Sequence, residues 1–383
     1  MFIEIGNTPK SYDWGSLTAI PELLGVAPSG GPQAELWFGT HEASPSIVVN
    51  RESTNNDLGP IRLHDWLSEN QGLGPGEPAR IGFLLKILAA EAPLSVQAHP
   101  NSLQAEQGFT RENEQQIPID APERNYRDPF AKPELVLAIS ERFEALAGIR
   151  SIQEIEAAFK GLGADELVEL LGDLPSLIRT VLSGGREIQN LVSEVQETAS
   201  STDSMDADTV RRISRSHPHD PAILCALMLN RVSLRRGEAL FLGAGNLHAY
   251  LQGTAIELMG PSDNVLRGGL TSKHVDVEEL LAIADLVPRK MDLLVPEVSE
   301  NHRRFNPRGF ALRLDHIIGP TQIDLSGESI ALCTDGEFEV SGEHSSHSFR
   351  KGEAAFITAN EQSLRVVGTG EIFIASAPAA SKL

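Results

Sequence analysis

Short apolar runs, broken every few residues by Gly, Pro, Asn or Asp, fill the chain from Met1 to about Ile139 and predict strands. Ser46-Ile-Val-Val-Asn50 and Gly82-Phe-Leu-Leu-Lys-Ile-Leu88 are examples, whereas the acidic, proline-bearing stretch from Glu106 to Arg127 predicts a loop or short helices. Beyond Ser151 the period lengthens. Ile152, Ile155, Phe159 and Leu162 recur at helical spacing, followed by Leu167, Leu170, Leu171 and Leu174, and then by Ile188, Leu191, Val192 and Val195. Gly161, Gly163, Pro175, Gly184 and Gly185 punctuate these sets as helix stops. The polar run from Thr198 to Asp208 predicts an exposed connection, and Pro221 to Arg231 predicts a further helix with Asp220 as its N-cap. Strand character returns at Gly237, is interrupted by a helical patch from Val275 to Asp285, and resumes after a linker around Pro288 to Arg303. Ala311-Leu-Arg-Leu and Glu337-Phe-Glu-Val belong to this last set.

That order predicts a mainly β chain with a helical insertion. One barrel is expected from residues 1–150 and 232–290, an inserted helical domain from 151–231, and a second, smaller β domain from 291–383. No self-similarity at a spacing of about 20–50 residues is apparent, so neither a solenoid nor a propeller is expected.

Composition narrows the function classes. A length of 383 residues suits two or three domains, and no apolar run approaches membrane-spanning length. The formal charge of −21 argues against nucleic acid or an anionic membrane as partner, and it makes any local group of Lys and Arg conspicuous as an anion site. Cys225 and Cys333 are far apart and expected to be free thiols in a reducing compartment. The N-terminal residues lack a basic region followed by an apolar core, so a cytoplasmic location is expected. Ser381-Lys382-Leu383 would read as a peroxisomal address only in a eukaryote.

Three stretches carry metal-capable or charged side chains two residues apart: Ser95-Val-Gln97-Ala-His99, Lys132-Pro-Glu134 and Asn246-Leu-His248-Ala-Tyr250. In a strand, alternate residues share a face. If the three strands are neighbours at a barrel mouth, Gln97, His99, Glu134 and His248 converge, and two imidazoles, a carboxylate and an amide oxygen make a divalent-metal shell. The segment from Gly237 to His248 also fits the second cupin motif, with Gly243 where that motif has Pro, and Gln97-Ala-His99 resembles the paired cupin histidines with the first one changed. Lys351-Gly-Glu-Ala-Ala-Phe-Ile357 resembles the start of the same motif, but no His follows at the metal position, so the C-terminal half is expected to be metal-free.

Over nearly its whole length the chain resembles the type I phosphomannose isomerases. The matching stretches are Ser11-Tyr-Asp-Trp-Gly15, Ala34-Glu-Leu-Trp-Phe-Gly-Thr-His41, Pro93 to Asn101, Asn125 to Glu134, and Gly245 to Lys273, which contains Ser262-Asp-Asn-Val-Leu-Arg-Gly-Gly-Leu-Thr271. The resemblance implies two cupin (jelly-roll) β-barrels plus an α-helical domain. It also implies one Zn2+ per chain on Gln97, His99, Glu134 and His248, and a catalytic arginine at Arg267. Substrate contacts are implied at Ser95, Lys132, Glu257, Asp263 and Lys273, with Lys86, His41 and Tyr250 as further candidates. One departure stands out. The family usually has His before Lys-Pro-Glu, and this chain has Phe130-Ala131 there, so a proton-shuttling role for that histidine cannot operate.

The implied reaction interconverts mannose 6-phosphate and fructose 6-phosphate by moving a proton between C1 and C2 through a cis-enediol. It needs a base and positive charge near the two oxygens. Glu257 and Lys132 compete as the base, with Glu257 preferred; His41 is either a ring-opening group or a structural histidine. Lys86, Lys132, Arg267 and Lys273 together read as an anion pocket in so acidic a chain. A sugar phosphate is the expected partner, and a monomer the expected state. Two other classes remain: an iron cupin oxygenase, against which Gln97 and the cations argue, and a non-catalytic sugar-phosphate-binding cupin, for which only Phe130-Ala131 argues.

Overall fold

The computed structural model describes residues 1–49, 60–70 and 80–378, so the end of Ser46-Ile-Val-Val-Asn50 and the Ser381-Lys382-Leu383 tail lie outside the described residues. The fold is mostly antiparallel β with a helical block, and the chain divides into two compact units. The first comprises Met1–Ala89, Ala255–Pro261 and Leu294–Leu383; the second comprises Ala90–Thr254 and Ser262–Leu293.

The first unit is built on the long antiparallel ladder between Ser329–Ser341 and Ser363–Ser376, to which Arg313–Ile317 and Ala354–Ile357 add on either side. Phe2–Gly6 then pairs antiparallel with Ala354–Ile357, Phe2 lying opposite Ile357. Residues 329–334, 354–357 and 371–376 are buried on both faces, whereas at the far end of the ladder the buried Phe338 and Val340 alternate with exposed or half-buried neighbours. Glu35–Phe38 pairs with Leu84–Ala90 so that Trp37 faces Lys86.

The second unit holds the helices and a set of short strands. Arg142–Ile149 pairs antiparallel with Leu229–Arg235 and with the start of His248–Met259. Glu134–Ala138 pairs with Ala239–Leu242. The helical periodicity is realised in Ile152–Gly161, which Ser151 and Glu154 start with a reciprocal capping box, and in Leu174–Ser183, which Asp173 caps. Ile155, Phe159, Leu177, Val181, Val192 and Val195 turn inward to one core shared with Val96, Leu247 and Leu266, so the helices brace the strands that carry the candidate centre.

Three expectations are corrected. The first part of the Glu106–Arg127 stretch is neither loop nor short helix but the end of a thirteen-residue helix, Ser102–Glu114, started by a capping box between Asn101 and Gln104. The polar run after Thr198 is not a connection, because one helix continues to Ser201 and another runs from Met205 to Ser216. Ala199, Ala207, Val210 and Ile213 supply the buried stripe there, widely enough spaced to be hidden among serines and aspartates. The helix expected over Pro221–Arg231 ends at Ala226, and Leu229–Arg235 is a strand, since every residue from Ala222 to Leu229 is buried and such a run carries no period to read.

Candidate metal centre

Gln97–Ala98 is a two-residue strand lying between two others in the second unit. Gln97 is directly opposite His248 on one side and opposite Arg267 of Leu266–Arg267 on the other. Directly opposed residues of antiparallel strands share a face, with Cβ atoms about 4.5–5.5 Å apart. His248, Gln97 and Arg267 therefore form one row across the sheet. His99 follows two residues after Gln97, and Glu134 opens its strand straight after Pro133, a position where the missing proline N–H breaks no ladder. Gly245 ties the turn before His248 to this row, its N–H donating to the His99 carbonyl at 2.8 Å. At φ +75° a Cβ on Gly245 would lie 2.7 Å from the Ile283 carbonyl oxygen, so glycine is required there.

One ligand atom each of His99, Glu134 and His248 lies within 4.8 Å of the others, and all three residues are buried. His99 Nδ1 donates to the Asn264 carbonyl at 2.7 Å and His248 Nδ1 donates to the Asn246 carbonyl at 2.9 Å. A carbonyl can only accept, so in both rings the proton sits on Nδ1 and the lone pair on Nε2. Both Nε2 atoms are buried without a hydrogen-bond partner. Yet each looks at a carboxylate oxygen of Glu134, at 3.2 Å from His99 and 3.3 Å from His248. Acceptors pointed at acceptors inside a protein repel unless a cation sits among them. The donor set of two imidazoles and a carboxylate suits Zn2+.

The charge balance agrees. Burial opposes ionisation of Glu134, but Lys132, whose Nζ lies 3.2 Å from Oε1, and the two histidines hold its carboxyl well below the usual range. Burial, then the Lys132 charge, push the His99 imidazole down to about 4, keeping it neutral and able to ligate. Tyr250, buried on the strand of His248, points its hydroxyl at Glu134 Oε2 at 3.3 Å.

Sequence reasoning did not find what holds the centre. Asn264 is fully buried, and its side chain accepts from the N–H groups of Arg127 (2.8 Å) and Asp128 (3.3 Å) and donates to the carbonyls of Asp128 (2.7 Å) and Phe130 (3.0 Å). Ser262 donates to Asp128 Oδ1 at 2.8 Å. The loop before Lys132 is thus bound to the residue whose carbonyl orients His99, the outer support that metal-binding histidines usually have. The Asp-Pro and Ser-Asp-Asn clusters, both turn signals, were the available hint.

Of the other expected residues, Arg267 is half-buried and burial lowers its pKa, with Arg127 adding to the effect. Ser95 is half-buried two residues before Gln97. Asp263 and Lys273 are exposed, Asp263 binding Asp128 Oδ2 through its N–H at 2.8 Å. Lys86, Glu257 and His41 belong to the first unit. There Lys86 Nζ is buried between Glu257 (3.2 Å) and Glu35 (3.4 Å) and lies 4.9 Å from the centre of the Trp37 ring, while Trp37 Nε1 donates to Glu35 at 2.9 Å. His41 packs edge-on against Trp37 at 5.0 Å and accepts the Ala43 N–H at 3.2 Å.

An antiparallel β fold with a helical block and a buried His–Glu–His cluster that calls for a cation define a metal-binding protein of the cupin type. Comparison with known proteins narrows this class. Residues 2–152 match the phosphomannose isomerase type I catalytic domain, and residues 310–377 match the mannose-6-phosphate isomerase cupin domain. The chain is 36% identical to a mannose-6-phosphate isomerase of Salmonella typhimurium over 96% of its own length and 97% of the relative's. It is likewise 36% identical to one of Escherichia coli, with the same coverage. A crystal structure of the Salmonella typhimurium protein, bound to fructose 6-phosphate and zinc, superposes with a TM-score of 0.88 at 34% identity, covering 98% of this chain and 99% of that one. The chain belongs to the type I mannose-6-phosphate isomerase family, and it is an isomerase. Among the described residues, no helix is long and apolar enough to cross a membrane.

Proposed function

We propose that the chain interconverts mannose 6-phosphate and fructose 6-phosphate, with one Zn2+ held by His99, Glu134 and His248 and by the amide oxygen of Gln97. The observation that carries this reading is the pair of buried, unpartnered Nε2 atoms facing a carboxylate. Relatives named for this activity, and the relative solved with fructose 6-phosphate and zinc, support the choice of substrate and metal.

When bound, the ion supplies Lewis-acid charge for the oxygens on C1 and C2 of the open-chain sugar. Arg267, in line with Gln97 and His248, offers a planar fork of donors to an enediolate oxygen or to the phosphate. Lys132 Nζ lies 3.2 Å from Glu134, so its ammonium is directed at the carboxylate that would hold the ion and orients substrate beside it. Glu257, a buried carboxylate 3.2 Å from Lys86 Nζ, is the preferred base ahead of Lys132; it would take the proton from one carbon of the cis-enediol pathway and return it to the other. Phe130, standing near the family's usual histidine, is exposed and acts through its backbone, its carbonyl bound by Ser262 and Asn264 and its N–H donating to Asp128 Oδ1; its identity leaves the centre intact. The protein works as a monomer in this reading.

The test is incubation with mannose 6-phosphate in deuterated water before and after chelation. Deuterium at C1 or C2 and product formation that depends on metal are expected. Turnover that survives complete metal removal would overturn the proposal.

A further inference from the structure

Four residues other than glycine adopt positive φ among the described residues, and two of them flank one hydrogen bond. His219, at φ +64°, precedes Asp220 in the helical block; Leu270, at φ +53°, closes the turn that begins with Arg267. Asp220 Oδ2 accepts the Leu270 N–H at 2.9 Å, while its Oδ1 accepts the Ala222 N–H at 2.9 Å. Between them, Gly269 (φ +104°) passes so near the helix start that an added Cβ would lie 2.3 Å from the Ala222 Cβ. On its other side the turn is held by Val96, whose carbonyl accepts the Gly268 N–H at 2.7 Å and whose N–H donates to the Gly269 carbonyl at 3.2 Å.

A leucine in left-handed geometry persists only where its surroundings over-determine it, and such outliers gather at functional sites. Glycine would relieve Leu270, but its side chain is buried in the core shared by the helices and strands, so relief would leave a void. The Asp220 carboxylate offers the alternative: it binds the N–H that the left-handed turn presents. The bond is made one turn away from Arg267, and it comes from the start of a short helix, Ala222–Ala226, whose apolar residues pack in the core shared with Val96 and Leu266.

We propose that Asp220 is a positioning residue for Arg267: its carboxylate clamps the Gly268-Gly269-Leu270 turn and thereby fixes where the Arg267 guanidinium points. The helical block thus contributes to the reaction through one carboxylate. This rests on the reading of Arg267 as a substrate-contacting residue.

The test is a double-mutant cycle in the zinc-loaded, full-length enzyme with D220N, R267K and the double variant, each read as kcat, KM, zinc content and thermal midpoint. Asn keeps an oxygen for Ala222 but presents an amide NH2 to the Leu270 N–H. D220N is expected to lower kcat about tenfold to a hundredfold, the scale of a misplaced catalytic group, at unchanged zinc content. In the R267K background it should add less than about twofold, because coupled residues are not additive. Wild-type kcat in D220N, or an equal loss in both backgrounds, overturns the positioning role alone. Wild-type rates in R267K overturn the reading of Arg267, and this proposal with it. Should D220N fail to fold, D220S, whose hydroxyl still accepts one bond, goes through the same cycle.

Discussion

Asn264→Ala should weaken zinc binding although the residue offers the metal no side-chain atom. Its side chain is fully buried and joins the N–H groups of Arg127 and Asp128 to the carbonyls of Asp128 and Phe130. Truncation leaves those groups to find other partners. At about 1–3 kcal/mol per stranded polar group, and discounting Arg127 and Phe130 because both are exposed, the two Asp128 groups put the loss at about 2–6 kcal/mol. The effect on the metal follows from the main chain of the same residue, whose carbonyl accepts the His99 Nδ1–H at 2.7 Å. Once the loop no longer pins it, that carbonyl shifts and the imidazole loses its fixed tautomer and orientation. Loss of an outer-shell partner typically costs about 10–100-fold in metal affinity, or about 1.4–2.7 kcal/mol. The assay is zinc competition against a chromophoric chelator at fixed pH, with urea unfolding of the zinc-free protein measured in parallel. A variant that loses stability as calculated, yet binds zinc within about twofold of wild type, would refute the link between the loop and the His99 ring.

Glu257→Gln should lower kcat by about 10²–10⁴ with zinc content unchanged, as removal of a general base does, and a near-normal rate would transfer that role to Lys132. Asp315 is fully buried among His302 Nε2 (2.7 Å), Arg304 Nε (2.8 Å) and Arg313 Nε (2.9 Å); burial opposes its ionisation, but these three partners hold its pKa down. A depressed carboxylate pKa stabilises the fold above the unfolded value, about 3.9, and loses that effect as pH falls through the folded value. Asp315→Asn should therefore cost about 3–5 kcal/mol at neutral pH, and the gap from wild type in denaturant melts should close as the pH drops below about 4. Burial pushes both thiols, Cys225 and Cys333, up to about 12, so neither should react with a thiol reagent at neutral pH until the protein is unfolded; rapid labelling of the native enzyme would contradict their placement.

The His99–Glu134–His248 cluster was legible because each residue lies in or beside a short extended stretch where spacing alone sets the face, His99 two after Gln97 and His248 at the end of a glycine-bearing turn. Their supports were not. Asn264 and Asp128 act through hydrogen bonds between loops far apart in sequence, and no periodicity records those. Likewise Glu35 gave no hint that its carboxylate would reach Lys86, which lies diagonally across from it, since that contact depends on strand register. The helical block was foreseen where apolar residues recur, as from Ile152 to Val195. It was missed from Met205 to Ser216, where Ser204 caps the helix and Asp206 and Asp208 occupy its first turn. These same residue types mark loops, and only the buried stripe of Ala207, Val210 and Ile213 separates the two cases.

The pairing of Phe2–Gly6 with Ala354–Ile357 has a cost in time. A ribosome delivers Phe2 long before Ile357, so the strand edge that meets Ala354–Ile357 must wait open for its partner, although the other edge can pair early with Ile47–Val48. Contacts this distant along a chain slow folding, and open strand edges invite association with other nascent chains. Overproduction should therefore strain chaperone capacity more than the finished enzyme's stability would suggest.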